Sequence, residues 1–158
     1  MNAFAKARVP LATLLAATVS VAAQAAPQRR LPVVCPYQPV EPASGKVRAD
    51  VLTLDLGPSA NGDGKSWRGP LTITQQDGTT CTADAAVGPI EGTLYSDGQH
   101  LLVTTSAGGS RRLFVLSTTS CQPLWKSNSF TGAVYLKDGQ LYTGKTANKL
   151  NPDCLPLP

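Results

Sequence analysis

Residues 92–125 constrain the fold most strongly, because three strand-length apolar runs in this segment are separated by two turn signals. The runs cover residues 93–95, 101–105 and 113–117. They are rich in the aliphatic and β-branched residues that favour strands. The turn signals are Asp97-Gly98 and Gly108-Gly109, and short glycine-containing connections of this kind join antiparallel neighbours. The segment therefore predicts a β-meander.

Further strand patterns flank this meander on both sides. Residues 46–56 alternate between apolar and polar side chains, but the alternation shifts by one position between Val51 and Leu52. This shift predicts one strand that carries a β-bulge or a bend. Two hairpins are expected around Asp77-Gly78 and Asp138-Gly139, the first from residues 71–74 and 79–83, the second from 133–136 and 140–143. Helical periodicity is not seen after residue 25, so helix is expected to be minor.

An internal repeat connects the two halves of this strand-rich region. Gly92 and Tyr95 have counterparts 40 residues later in Gly132 and Tyr135, and both tyrosines precede an Asp-Gly pair. Cys81 and Cys121 are also 40 residues apart. A period near 40 with short strands is typical of propeller blades.

Residues 132–143, and Leu124-Trp125 at the end of the first meander, resemble parts of a quinoprotein-type β-propeller blade. This resemblance covers only part of the chain, and a propeller needs at least four blades. We therefore predict an all-β fold, a small antiparallel meander barrel or sandwich with propeller-blade-like hairpins and eight or nine strands. Blades assembled between chains are the alternative.

The first 25 residues have the pattern of a secretory signal peptide. Lys6 and Arg8 precede an apolar, alanine-rich run over residues 9–21, and Ala23-Gln24-Ala25 supplies the small residues of a cleavage site. The run is shorter than the roughly twenty residues of a membrane-spanning helix. We expect cleavage near Ala25, a periplasmic or secreted product and no membrane span.

Cleavage after Ala25 leaves 133 residues with twelve basic and ten acidic side chains, a net charge of +2. This small charge excludes the electrostatic footprint of a nucleic-acid-binding protein. The length fits one domain with a single core. Residues 26–44 are expected to form a proline-rich N-terminal arm, and residues 45–158 a single all-β domain with a proline-rich C-terminal tail.

All four cysteines, Cys35, Cys81, Cys121 and Cys154, follow the predicted signal peptide. An even number of cysteines in an exported chain predicts two disulfides. Their pairing is open: Cys35 is joined to Cys81 in one arrangement and to Cys154 in another, and a third is possible. A four-thiolate metal site is disfavoured because the chain has no CxxC pair.

Catalytic signatures are weak. His100 is the single histidine, no GxSxG motif occurs, and Asp63, Asp77, Asp97 and Asp138 all stand beside glycine in turn positions. We therefore predict no catalytic residue, no metal and no cofactor. An enzyme whose site combines loop carboxylates with His100 remains the alternative.

The remaining candidates for ligand binding are aromatic and basic side chains. Aromatic rings supply stacking area for sugars or for side chains of a partner protein. We predict a non-enzymatic binding module for an envelope protein or a glycan, with a purely structural envelope component as a further alternative. The candidate residues are Trp67, Trp125, Arg111, Arg112 and Tyr135.

Overall fold

A computed structural model describes residues 34–158 of the chain. The predicted signal peptide, its cleavage site and residues 26–33 of the predicted arm lie outside the described residues. Regular structure within residues 34–158 consists of strands alone. The strands are β1 Gln38–Val40, β2 Lys46–Ala49, β3 Leu52–Asp55, β4 Ser66–Trp67, β5 Thr72–Thr74, β6 Thr80–Thr82, β7 Ile90–Glu91, β8 Leu94–Ser96, β9 His100–Ala107, β10 Ser110–Ser117, β11 Pro123–Lys126, β12 Val134–Lys137, β13 Gln140–Thr143 and β14 Thr146–Lys149.

These strands form three antiparallel sheets. The central sheet has the order β1-β8-β9-β10-β11, and β7 joins it through β9 and also pairs with β4. A four-stranded sheet has the order β2-β3-β5-β6, and a three-stranded sheet has the order β12-β13-β14. The predicted meander is confirmed, since β8, β9 and β10 pair consecutively. Both predicted hairpins are also present, as β5–β6 and β12–β13.

The central sheet is the middle layer of a sandwich-like stack. Leu101 and Val103 of β9 lie in one apolar cluster with residues of the four-stranded sheet. Leu102, between them, lies in a second cluster with Leu141 of the three-stranded sheet. Successive side chains of a strand point to opposite faces, so a continuous apolar run is buried on both sides. The expectation of a single core was wrong, because the central strands carry apolar residues on both faces.

The all-β fold class is confirmed, and the sandwich is the form it takes. Each sheet ends in edge strands within residues 34–158, so the sheets do not close into a barrel. The part of the chain that the structure describes has more strands than the eight or nine predicted. Two of them, β4 and β7, have only two residues each and leave no recognisable pattern in the sequence. In the same residues, no helix has the length and apolar character needed to cross a membrane.

Residues 46–56 form a hairpin, and the prediction of one bulged strand was wrong. Strands β2 and β3 pair with each other, and Ala49 lies opposite Leu52. Asp50 has a positive φ of 56°, which allows the chain to reverse within two residues. The one-residue shift in the alternation of apolar and polar side chains therefore marks a turn, in which Val51 is 43% exposed.

The two proline-rich segments also contain strands. The arm contributes β1, which pairs with β8 at the edge of the central sheet, where a proline is tolerated. The predicted tail, residues 145–158, contributes β14, which pairs with β13 along its full length. Beyond β14, Leu150 and Pro156 form an isolated bridge.

Two disulfides connect these elements. Cys35 is bonded to Cys154, and Cys81 is bonded to Cys121. Among the pairings left open by the sequence, this is the one that joins the arm to the tail. The bond between Cys81 of β6 and Cys121, in the connection from β10 to β11, cross-links the four-stranded sheet to the central sheet. Two disulfides are characteristic of an oxidising, exported environment and support an extracellular or periplasmic location.

Candidate ligand-binding groove

A groove of about 310 Å³ lies at the junction of the central and three-stranded sheets. We call it the Trp125 groove. One side is formed by the end of β11 and the segment that follows it, the other side by β13 and β14, and Leu157 and Pro158 close it. The lining residues are Trp125, Lys126, Ser127, Asn128, Ser129, Phe130, Thr143, Thr146, Asn148, Leu157 and Pro158.

Two aromatic residues, together with Leu157 and Pro158, form the apolar part of this groove. Trp125 lies opposite Val115 in the β10–β11 pair, and it packs in a partly buried position against the cluster shared with the three-stranded sheet. Phe130 packs against the same cluster. Its backbone exchanges two hydrogen bonds with Arg111, of 2.8 and 2.9 Å. Strand-type backbone pairing therefore fixes both rings in the sheet framework.

The polar part of the groove is also held in place by hydrogen bonds. The Asn148 Nδ2 group donates to the Leu141 carbonyl oxygen at 3.1 Å and to Thr143 Oγ1 at 3.3 Å. On the opposite side, Ser127 Oγ accepts a hydrogen bond from the Leu113 backbone and donates one to the Asn128 carbonyl oxygen. These bonds orient the side chains before any ligand arrives.

The chemistry of the lining suits an uncharged, hydroxyl-rich ligand. The two aromatic rings offer stacking area, while the amides and hydroxyls of Asn128, Ser129 and Thr146 offer donors and acceptors. Lys126 is the one ionisable side chain in the lining. A small number of polar groups around an apolar surface is the usual composition of a small-molecule site.

The two candidate arginines have different environments. Arg111 Nε forms a salt bridge with Glu91, and another guanidinium nitrogen donates to the Gly132 carbonyl oxygen at 2.7 Å. The side chain thus connects β7, β10 and the start of the three-stranded sheet. Arg112 is exposed and donates to Ser129 Oγ at 3.4 Å, which places it beside the Trp125 groove.

The other two aromatic candidates lie away from the Trp125 groove. Trp67 is only 2% exposed and belongs to the core between the central and four-stranded sheets. Tyr135 is 39% exposed and stacks on Tyr142 on the outer face of the three-stranded sheet. The structure therefore brings Trp125 and Arg112 close to one site and separates them from Trp67 and Tyr135.

His100 has a local partner in the turn before β9. Its Nδ1 atom lies 2.9 Å from Asp97 Oδ2, and Asp97 Oδ1 accepts hydrogen bonds from the backbone of Gln99 and His100. These contacts close the β8–β9 turn. Within residues 34–158, no cluster of three or more histidine, cysteine or acidic side chains has a geometry that holds a metal ion.

Sequence reasoning missed Phe130, Asn148 and the segment Leu157-Pro158 as parts of a site. Asn148 belongs to β14, in a polar stretch that lacks apolar alternation. The signal that was available is the pair Gly144-Lys145 directly after the strand ending at Thr143, because a two-residue connection with glycine is typical of a hairpin.

Comparison with known proteins finds no family model and no curated protein sequence that matches the chain.

Proposed function

We propose that this protein is an exported, non-enzymatic binding module that takes a neutral glycan in the Trp125 groove. The observation that carries the proposal is a partly buried tryptophan ring in a groove that combines apolar lining residues with amide and hydroxyl side chains. Sugar rings present both apolar C–H faces and hydroxyl groups, so they need both kinds of wall.

The rigidity of the groove supports this proposal. Binding is weakened by the cost of ordering mobile side chains and loops. Trp125 is held by the β10–β11 pairing, Phe130 by its backbone bonds to Arg111, and Asn148 by two hydrogen bonds. Few side chains therefore need to be ordered when a ligand enters, so the free-energy cost of ordering is small. A small cost matters most for a ligand that interacts weakly, such as a sugar.

The size and polarity of the groove favour a glycan over a protein partner. A volume of about 310 Å³ is at the lower end of the range for small-ligand sites. Protein interfaces instead centre on a larger apolar patch with buried anchors. Leu124 of β11 is 47% exposed and is not part of the groove lining.

The test is calorimetric titration of the protein with neutral cello-, chito- and malto-oligosaccharides. We expect at least one series to bind, and Trp125→Leu to weaken that binding by roughly tenfold or more, since it keeps an apolar side chain but removes the stacking face. Leu124→Ala is the matched control from the same strand and is expected to leave affinity unchanged. Thermal unfolding of both variants verifies that they are folded.

Two results would contradict the proposal. One is a folded Trp125→Leu variant that binds the oligosaccharide as tightly as the wild type. The other is an absence of binding to every neutral series together with a polypeptide ligand whose binding is lost in Trp125→Leu, which would assign the groove to a protein partner.

A further inference from the structure

The outer face of the three-stranded sheet carries a second arrangement of aromatic and charged side chains. It faces away from the core, because the alternate residues Leu141 and Thr143 are buried. The side chains of this outer face are Tyr135, Lys137, Gln140, Tyr142, Ala147 and Lys149.

The strand register arranges these six side chains in two rows. One row runs from Tyr135 through Tyr142 to Ala147, and the other runs from Lys137 through Gln140 to Lys149. The Tyr135 and Tyr142 rings are stacked, with centroids 4.7 Å apart and planes within 4° of parallel. The Tyr142 hydroxyl donates to Gln140 Oε1 at 3.5 Å, which links the two rows.

The strand next to Tyr142 carries a small residue on this outer face. One face of the Tyr142 ring is covered by Tyr135, so its other face is directed towards the next strand, β14. The residue opposite Tyr142 on β14 is Ala147, which is exposed and has no side chain beyond Cβ. We call the space that this register leaves beside Tyr142 the notch, bounded by the ring face turned away from Tyr135, the Ala147 methyl group and the neighbouring Lys149.

The charge of this face has one sign. Lys137 and Lys149 are both exposed, and neither forms a salt bridge within the residues that the structure describes. None of the six outer-face side chains is acidic. The nearest carboxylate in the sequence, Asp138, lies in the β12–β13 turn with a positive φ. A ligand on this face thus meets an aromatic surface beside unpaired positive charge.

We propose that the notch binds an acidic sugar residue of a polysaccharide, with the sugar ring against the free face of Tyr142 and its carboxylate at Lys149. The aromatic face of Tyr142 offers a stacking surface for the sugar ring. The Lys149 ammonium, a point charge on a flexible stem, pairs with the carboxylate. An acidic peptide offers the carboxylate without a rigid ring to fill the notch. The proposal does not depend on ligand binding in the Trp125 groove, because that groove lies on the inner face of the same sheet.

The experiment titrates the protein with oligogalacturonate and with cello-oligosaccharide of the same length as the uncharged comparison. Ala147→Ile fills the notch without adding an aromatic face, and its β-branched side chain is favourable in a strand. Lys149→Gln removes the charge. Lys145→Gln, in the β13–β14 turn, is the matched control for loss of one positive charge.

We expect oligogalacturonate binding to fall roughly tenfold or more in Ala147→Ile and severalfold in Lys149→Gln, and to change less than about twofold in Lys145→Gln. Trp125→Leu is expected to leave it unchanged, so a failure of this proposal is distinguishable from a failure of the proposed groove.

Three outcomes would overturn the inference. The first is unchanged affinity in a folded Ala147→Ile variant. The second is an equal loss in Lys145→Gln and Lys149→Gln, which would indicate non-specific attraction to a positively charged protein. The third is binding of poly-glutamate with the same affinity and the same sensitivity to Ala147→Ile, which would assign the face to acidic polypeptides.

Discussion

The Tyr37 hydroxyl donates a 2.8 Å hydrogen bond to the carbonyl oxygen of Cys154, which lies 117 residues later in the chain. Cys154 is also the disulfide partner of Cys35, two residues before Tyr37. Both Tyr37 and Cys154 are buried in the cluster between the central and three-stranded sheets. A covalent bond and a buried polar contact thus hold the N-terminal arm and the C-terminal segment over the same part of the core.

Burial of the Tyr37 hydroxyl is expected to make stability sensitive to alkaline pH. Burial raises the pKa of the Tyr37 phenol above its ordinary value of 10.0, and the charge of Asp97 adds to the rise. A group with a raised folded-state pKa contributes stability that is fully present below its unfolded pKa and is lost as pH rises towards the folded value. We therefore expect the free energy of unfolding to decrease as pH increases above about 10.

Urea unfolding at neutral pH and at a series of alkaline values measures this effect. Tyr37→Phe is expected to cost about 1–3 kcal/mol at neutral pH, because the Cys154 carbonyl loses its partner, and to show a flatter decline at alkaline pH. Tyr135→Phe, at a 39% exposed position, is the control. Parallel pH profiles for the wild type and Tyr37→Phe would contradict the assignment.

The two disulfides are expected to contribute unequally to stability. Cys35–Cys154 spans 119 residues of sequence, whereas Cys81–Cys121 spans 40. If a disulfide stabilises the protein mainly by restricting the unfolded chain, Cys35–Cys154 contributes about 5 kcal/mol to the free energy of unfolding and Cys81–Cys121 about 4 kcal/mol. Replacing each pair with serines and measuring denaturant unfolding tests the order. Non-reducing peptide mapping tests the pairing, and a peptide that joins Cys35 to Cys81 would refute it.

Gly144, in the β13–β14 turn, is expected to tolerate substitution poorly. It has a φ of +61°, and a Cβ atom added there would collide with the carbonyl oxygen of Thr131. Gly78 also has a positive φ, of +85°, but no atom lies within 4 Å of the corresponding Cβ position. We expect Gly78→Ala to cost about 1 kcal/mol from the backbone conformation alone.

Gly144→Ala adds the collision to that cost, so we expect about 2–3 kcal/mol in all. Thermal or urea unfolding of the two variants side by side measures the difference. Equal destabilisation by the two substitutions would show that the Thr131 backbone moves away at little cost.

Arg111 is expected to support the fold more than its neighbour Arg112. Its guanidinium contacts both Glu91 and the Gly132 carbonyl oxygen, although the side chain is 41% exposed. Solvent screening limits the coupling of such a partly exposed ion pair to about 0.5–1 kcal/mol. A double-mutant cycle with Arg111→Ala and Glu91→Gln measures this coupling, which is expected to shrink at high salt.

Arg112→Ala is the matched control for the preceding cycle, since that side chain is exposed and makes one long hydrogen bond to Ser129. We expect it to change stability by less than about 0.5 kcal/mol. An effect as large as that of Arg111→Ala would indicate that loss of charge, and not the contacts of Arg111, controls stability.

Much of the strand content was predictable because the side-chain pattern is local. The Asp-Gly turns and the apolar runs of β9 and β10 located the central meander to within a few residues. Residues 46–56 were interpreted incorrectly because a one-residue shift in the alternation of apolar and polar side chains has two possible causes, a β-bulge and a tight turn. Only the observed pairing of Ala49 with Leu52 distinguishes them. β14 was missed because a short edge strand has no buried face along most of its length.

The Trp125 groove was less predictable than the fold. Trp125 was a candidate from its residue type alone, and so was Trp67, which the structure buries. The sequence contains no signal that separates them, because both follow polar loops and both lie in short strands. Phe130 and Asn148 join Trp125 only because the segment after β11 pairs with Arg111 and β14 folds back along β13.

The sequence by itself determined the all-β class, the central meander and the presence of two disulfides. These depend on the period-2 alternation of side chains, on turn residues and on cysteine number, which act over a few residues or through composition. The tertiary structure decided which cysteines pair, which face of each strand is covered and which aromatic rings stay accessible. Those outcomes depend on contacts between residues far apart in the chain, whose free energy is set by how whole sheets stack.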